Sequence, residues 1–182
     1  MSKLIVGTSS LAPISYLGLL VLKTLKIYEV DSEYIKYLSN FQEHLFFSDG
    51  DKSNRKYIGI ILDINGYKYF APLSSFKEKH KKMKESVDFI KIRDYAVINI
   101  NNMVPVPDNK YKLVDIKGVK DINYKFLLQA ENREINKQRN RILKNASIVY
   151  NHKLKYKDST LLGKRTNNFS VLESAYNSYK KC

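Results

Sequence analysis

Two serines, two lysines and a histidine fall within seven consecutive residues, Ser74-Ser75-Phe76-Lys77-Glu78-Lys79-His80. Hydroxyls and ammonium groups at this density can donate to phosphate oxygens and offset their charge. Ser75 followed three residues later by Glu78 is a capping-box pattern, which predicts a short helix starting here. Free N–H groups at a helix start favour an anion. The plainer reading is that the serines cap a helix and the lysines are solvated.

These residues need a scaffold, and the preceding stretch supplies one. Tyr57 to His80 reads YIGIILDINGYKYFAPLSSFKEKH. An apolar run from Ile58 to Ile64 meets Asn65-Gly66, a pair suited to the positive φ angles of a type I′ turn. An aromatic-rich return run, Tyr67 to Leu73, follows, so the chain is predicted to form a β-hairpin here. The polar segment Ser48 to Asn54 delivers Arg55 and Lys56 to the hairpin entry.

The 182 residues suit one domain with a proper core. Lys plus Arg number 32 against 18 Asp plus Glu, a net charge of +14. Residues 1–109 hold 15 basic and 12 acidic side chains; residues 110–182 hold 17 and 6. A basic half of this kind attracts polyanions, nucleic acid foremost. An anionic membrane surface and a merely solvated surface are the rival readings. Fourteen Tyr and eight Phe include candidates for stacking on unpaired bases, though most belong to the core. The single cysteine, Cys182, excludes an internal disulfide framework and points to a reducing compartment, the cytoplasm.

Residues 1–24 differ from the rest. Their apolar stretch, Leu11 to Leu22, is too short to span a bilayer, which takes about 20 residues. They are expected to be a non-catalytic extension or an artificial leader, with residues 25–182 as a single domain. Leu25 to Val30 alternates like a strand. Asp31 or Ser32 can cap a helix with Tyr34, Tyr37, Leu38, Phe41 and Leu45 on one stripe. Ile90 to Ile100 has strand character, Met103 to Pro107 marks a bend and a sheet edge, and Tyr111 to Ile116 offers another short strand. A long helix is predicted from Asp121 to about Val149, with Ile122, Phe126, Ala130, Ile142 and Ala146 on one face. Lys153 to Arg165 reads as a loop, and Asn167-Asn168 caps a last helix carrying Phe169, Leu172, Tyr176 and Tyr179. This order implies an α+β fold with a strongly curved antiparallel sheet.

His44, His80 and His152 lie far apart, without metal-ligand spacing, and neither a Walker loop nor a GxGxxG occurs. Scattered carboxylates leave magnesium open. Metal-free phosphoryl transfer on RNA needs only groups that orient a 2′-hydroxyl, stabilise charge and move protons. Such groups cluster between Arg55 and His80. On these residues alone, such an enzyme and a non-catalytic basic RNA-binding module rank equally; a membrane-surface protein is a third reading.

The chain resembles the ToxN/AbiQ family, endoribonuclease toxins of type III toxin–antitoxin systems acting in phage abortive infection. LKIYEVDSEYIKYL (Leu25 to Leu38), NRKYIGIILDINGYKYFAPLSSFKEKH (Asn54 to His80), ININNMVPV (Ile98 to Val106) and NNFSVLESAY (Asn167 to Tyr176) carry the resemblance. It implies a curved antiparallel sheet flanked by helices, similar to the barrel of type II toxins such as Kid. It implies metal-independent RNA cleavage, with no cofactor, leaving a 2′,3′-cyclic phosphate. The implied inhibitor is a small, repeated, pseudoknotted antitoxin RNA in a hetero-oligomeric assembly, with no membrane involved. The family's Thr/Ser-Ser-x-Lys element falls on Ser74, Ser75 and Lys77, its basic residue at the hairpin entry on Arg55, and its helix-opening tyrosine on Tyr34.

On this basis Lys77 is expected to stabilise the pentavalent phosphate or protonate the leaving oxygen. Ser75 donates to a non-bridging oxygen, Ser74 supports it, and Arg55, always protonated, clamps phosphate. Tyr34, Lys56, Lys79, His80, Lys164 and Arg165 are the expected RNA contacts, with a core role the alternative for Tyr34 and a structural one for His80.

Overall fold

The computed structural model describes residues 24–42, 45 and 56–179. The expected extension at residues 1–24, apart from Thr24, and Arg55 lie outside them. Strand β1 (Lys26–Val30) leads into helix α1 (Ser32–Ser39). Asp31 starts that helix, its Oδ1 accepting from the N–H groups of Glu33 (2.9 Å) and Tyr34 (3.1 Å). The predicted hairpin is β2 (Lys56–Ile64) and β3 (Tyr67–Ser75). Asn65 and Gly66 have φ of 51° and 81°, as a type I′ turn requires. In β2, Ile60 and Ile61 have no partners opposite, because the register jumps between Gly59 and Leu62. A bulge of this kind bends and twists its strand. Gly59 permits it: a Cβ there would come within 2.1 Å of the Phe70 ring.

A short helix α2 (Glu78–Lys82) follows β3. The run expected as one strand, Ile90 to Ile100, folds back instead as β4 (Phe89–Ile92) and β5 (Ala96–Asn99). Its polar centre makes the turn, with Arg93 at φ 51° and the Tyr95 N–H on the Ile92 carbonyl. A 3₁₀ turn, β6 (Val104–Pro105), a second 3₁₀ turn and β7 (Tyr111–Leu113) complete the strands. All pairings are antiparallel, in the order β4-β5-β3-β2-β1-β7, with β6 on β3. The expected α+β class and antiparallel sheet are observed; the strand path among the described residues is open, ending on β4 and β7.

The long predicted helix is two: α3 (Ile122–Lys137) and α4 (Arg139–Tyr156), broken at Gln138. Helix α4 absorbs the first residues of the segment expected as a loop, and α5 (Leu161–Lys164) takes others. Ile142 and Ala146 are buried as expected, but Ile122 and Phe126 are 56% and 60% exposed. The buried stripe of α3 is Leu128, Glu131 and Ile135, a phase the single-helix count missed. Helix α6 (Phe169–Tyr179) buries Phe169, Leu172 and Tyr176, as predicted.

The central hairpin sends alternate side chains to two cores. Tyr69, Ala71 and Leu73 join a cluster with Leu128, Ile135, Ile142 and Val149 of α3 and α4. Phe70 faces Tyr34, Leu38, Leu172 and Tyr176 of α1 and α6. Glu173 fastens the elements together, its Oε1 accepting the hydroxyls of Tyr69 (2.7 Å) and Tyr150 (2.8 Å).

Candidate active site

Ser74 and Ser75 are the last two residues of β3, opposite Val97 and Ala96 of β5. This corrects the capping-box reading: the sheet ladder holds both serines extended, and the helix starts only at Glu78, with Lys77 at its N-cap position. A five-residue helix also has little dipole to offer an anion. The ladder runs on past Ser75, since the Phe76 N–H donates to the Tyr95 carbonyl at 3.1 Å. Lys77 is extended too, at φ −131° and ψ 160°. Along an extended chain alternate residues share a side, which puts Ser75 with Lys77 and Ser74 with Phe76. Ser75 and Lys77 are exposed and Ser74 is half-buried. Among the described residues, neither serine hydroxyl and neither the Lys77 nor the Lys79 ammonium has a hydrogen-bond or ion-pair partner. Their donors are open to a ligand, and the arrangement suits a phosphate group.

His80 lies beneath this surface. Its backbone N–H donates to the Lys77 carbonyl at 2.8 Å, and its Nδ1 accepts the Lys77 N–H at 3.0 Å. The ring meets Phe76 and Phe89 at centroid distances of 5.6 and 5.9 Å and is only 6% exposed. Burial, then Lys79, Lys77 and Lys91, hold its pKa below the usual histidine value. Backbone and rings enclose it, a setting that suits the structural alternative to the expected RNA contact.

Tyr34 is fully buried, its hydroxyl donating to the Pro105 carbonyl at 2.8 Å. Burial and the neighbouring tyrosines push its phenol well above the ordinary range. The Asp31 cap sets the phase of α1 so that positions 34, 35 and 38 face inward, which leaves no ring face for a base. Lys56 is also engaged, its ammonium on the Glu29 carboxylate, which Lys112 shares at 2.9 Å. Burial would raise the Glu29 pKa, but the two lysines outweigh it and hold the group ionised.

Lys164 and Arg165 sit elsewhere. Arg165 grips buried Asp88 with Nε on Oδ2 (2.6 Å) and Nη2 on Oδ1 (2.7 Å). Asn101 donates to the Arg165 carbonyl at 2.8 Å, and the Asn167 N–H to the Asn101 carbonyl at 3.0 Å. Asn101 follows the C-terminal end of β5, whereas Ser75 faces its first residue. The fold thus groups Ser74 to Lys79 at one end of this strand and Arg165 at the other. Lys164 is exposed and has no ion-pair partner among the described residues.

Sequence reasoning missed Lys91, whose Nζ donates to the Lys81 carbonyl at 3.3 Å. Arg141, one of the basic residues (Arg133, Lys137, Arg139, Arg141 and Lys144) that the sequence offers as either a solvated or an RNA-facing helix surface, pairs with Glu85 at 3.0 Å and brings the basic start of α4 against the segment after α2. No local motif marks Lys91. A groove of about 570 Å³, lined by Phe41, Leu154, Lys157, Ser170 and Ser174, involves none of the Ser74–His80 residues.

Residues 26–177 match the family model described as toxin ToxN, type III toxin–antitoxin system. The chain is 30% identical over 167 residues to the endoribonuclease ToxN of Pectobacterium atrosepticum, covering 86% of this chain and 95% of that protein. It is 35% identical over 100 residues to the endoribonuclease AbiQ of Lactococcus lactis subsp. lactis, covering 48% and 54%. The solved structure of AbiQ, a lactococcal anti-phage endoribonuclease of a type III system, superposes with a TM-score of 0.76 at 25% identity, covering 88% of this chain and 100% of AbiQ. A structure from a type III system in which a non-coding RNA pseudoknot selectively inhibits the toxin gives 0.76 at 26% identity, with the same coverage. The chain belongs to the ToxN toxin family of type III toxin–antitoxin systems.

Proposed function

We propose that this chain is a metal-independent endoribonuclease whose working surface is the end of β3 and the residues just after it. The observation that carries the reading is the pair formed by Ser75 and Lys77: extended, on one side, exposed and without partners among the described residues. In the reaction the RNA 2′-hydroxyl loses its proton and attacks the adjacent phosphorus. The bond to the 5′-oxygen breaks, that oxygen takes up a proton, and a 2′,3′-cyclic phosphate and a 5′-hydroxyl remain. The Lys77 ammonium offsets the charge that builds on the pentavalent phosphate, or supplies the proton to the leaving oxygen. The Ser75 hydroxyl donates to a non-bridging oxygen. Ser74 supports it from the same strand end, and Arg55 clamps a neighbouring phosphate.

A small, repeated, pseudoknotted RNA is the proposed inhibitor, held in a hetero-oligomeric assembly on the same surface, since inhibitor and substrate share their chemistry. The net charge of +14 and the Lys79 and Lys164 ammonium groups, unpaired among the described residues, support this partner. No helix among the described residues is long and apolar enough to cross a membrane, and the proposed location is the cytoplasm. The test is chemical identification of the ends produced from a defined RNA in EDTA. Cyclic phosphate and 5′-hydroxyl ends support the mechanism; 5′-phosphate ends would overturn it.

A further inference from the structure

We propose that His80 is a positioning residue for Lys77, using its unprotonated Nδ1 to hold the lysine backbone in the conformation that presents the ammonium. The inference rests on the reading of Lys77 as a catalytic group. In a capping box the third residue of a helix reaches back to the N-cap N–H, a task usually given to Glu or Gln. Here His80 occupies that place, and its Nδ1 accepts the Lys77 N–H at 3.0 Å. The return bond, from the His80 N–H to the Lys77 carbonyl, measures 2.8 Å. Lys77 is thereby tied at both peptide groups, while its side chain stays exposed and unpaired among the described residues.

Helix α2 has only five residues and little stability of its own, because a single turn forms few hydrogen bonds for the dihedrals it fixes. The reciprocal bonds and the packing of the imidazole between Phe76 and Phe89 therefore set where Lys77 stands.

An imidazole differs from Glu or Gln in that it titrates near neutrality. Protonated Nδ1 is a donor and would face the Lys77 N–H donor to donor, so the cap bond exists only in the neutral ring. The charges acting on the ring are Lys77 and Lys79 beside it and Lys91 on β4, and Phe76 and Phe89 cover its faces. These groups all favour the neutral form, so the bond is intact at pH 7. It is lost as pH falls through a value below the ordinary histidine pKa of about 6.5.

The test is single-turnover RNA cleavage from pH 5 to 8 by wild type, His80→Gln and His80→Leu, with RNA affinity measured alongside. Gln can make the cap bond without titrating. His80→Gln is expected to keep near-wild-type cleavage at pH 7.5 and to lose the acid limb of the profile that histidine produces. His80→Leu is expected to cleave roughly 10- to 100-fold more slowly with affinity little changed. Wild-type cleavage by His80→Leu, or equal impairment of both variants in folded protein, would overturn the inference. If Lys77→Ala is inactive while His80→Leu is fully active, only the positioning role fails; if Lys77→Ala is active, the underlying reading fails. Should the variants not fold, nitrogen chemical shifts of His80 in the wild type decide: a neutral ring with bare Nδ1 at pH 7 is expected, and an imidazolium would refute it.

Discussion

Arg165 closes a two-pronged clamp on Asp88, Nε to Oδ2 at 2.6 Å and Nη2 to Oδ1 at 2.7 Å, across 77 positions of sequence. The carboxylate is buried and also accepts from the Ser86 hydroxyl at 2.7 Å, whereas the arginine is half exposed. A buried carboxylate stripped of its cation is costly, though solvent near Arg165 moderates the loss.

Arg165→Ala is therefore expected to lower unfolding free energy by about 1–3 kcal/mol. Arg165→Lys should recover only part, since an ammonium cannot match the fork. Urea titration reads both. Burial pushes the Asp88 carboxyl up, but Arg165 and Ser86 outweigh it and hold the pKa below its ordinary value. The clamp's contribution is thus complete above that ordinary value and lost as pH falls through the lowered one, below about pH 4. Unchanged stability with weakened RNA binding in Arg165→Ala would instead make this arginine an RNA contact.

Gly59 stands against the Phe70 ring with no room for a methyl group. Gly59→Ala should cost about 2 kcal/mol or more through overpacking at the bulge. Phe70→Leu in the same chain should return part of that loss, because the two positions share one space. Additive losses in thermal or urea melts would count against the contact.

Tyr34 gives a third comparison. Tyr34→Phe leaves the buried Pro105 carbonyl without its hydroxyl donor and should cost about 1 kcal/mol. RNA affinity should not change. A loss of affinity without a loss of stability would put Tyr34 on the RNA surface.

Much of the scaffold was legible because local chemistry fixed it. Asn65-Gly66 could make only a tight turn, and Asp31 and Asn168 lie where helices begin. The errors arose where tertiary pairing overrode a local pattern. Ser75 and Glu78 match a capping box, yet β5 draws Ser75 into the sheet, and the reach-back bond forms two residues later, from the Lys77 N–H to His80. The polar dip at Arg93-Asp94 was a turn signal inside a run that otherwise read as a single strand. Tyr34 and Lys56 were identifiable as residue types, but their burial and pairing depend on Pro105 and Glu29, which sequence spacing cannot place. The Ser74-to-Lys77 segment was visible because its residues are contiguous.

Lys77 is the group on which the account turns. The most direct measurement is the single-turnover cleavage rate of Lys77→Ala against wild type in EDTA, with RNA affinity and thermal stability measured on the same preparations. The expected result is a rate reduced about 100-fold or more, with affinity changed only a few-fold and the melting temperature unchanged. Wild-type cleavage by the folded variant would contradict the account and move the chemistry away from the end of β3.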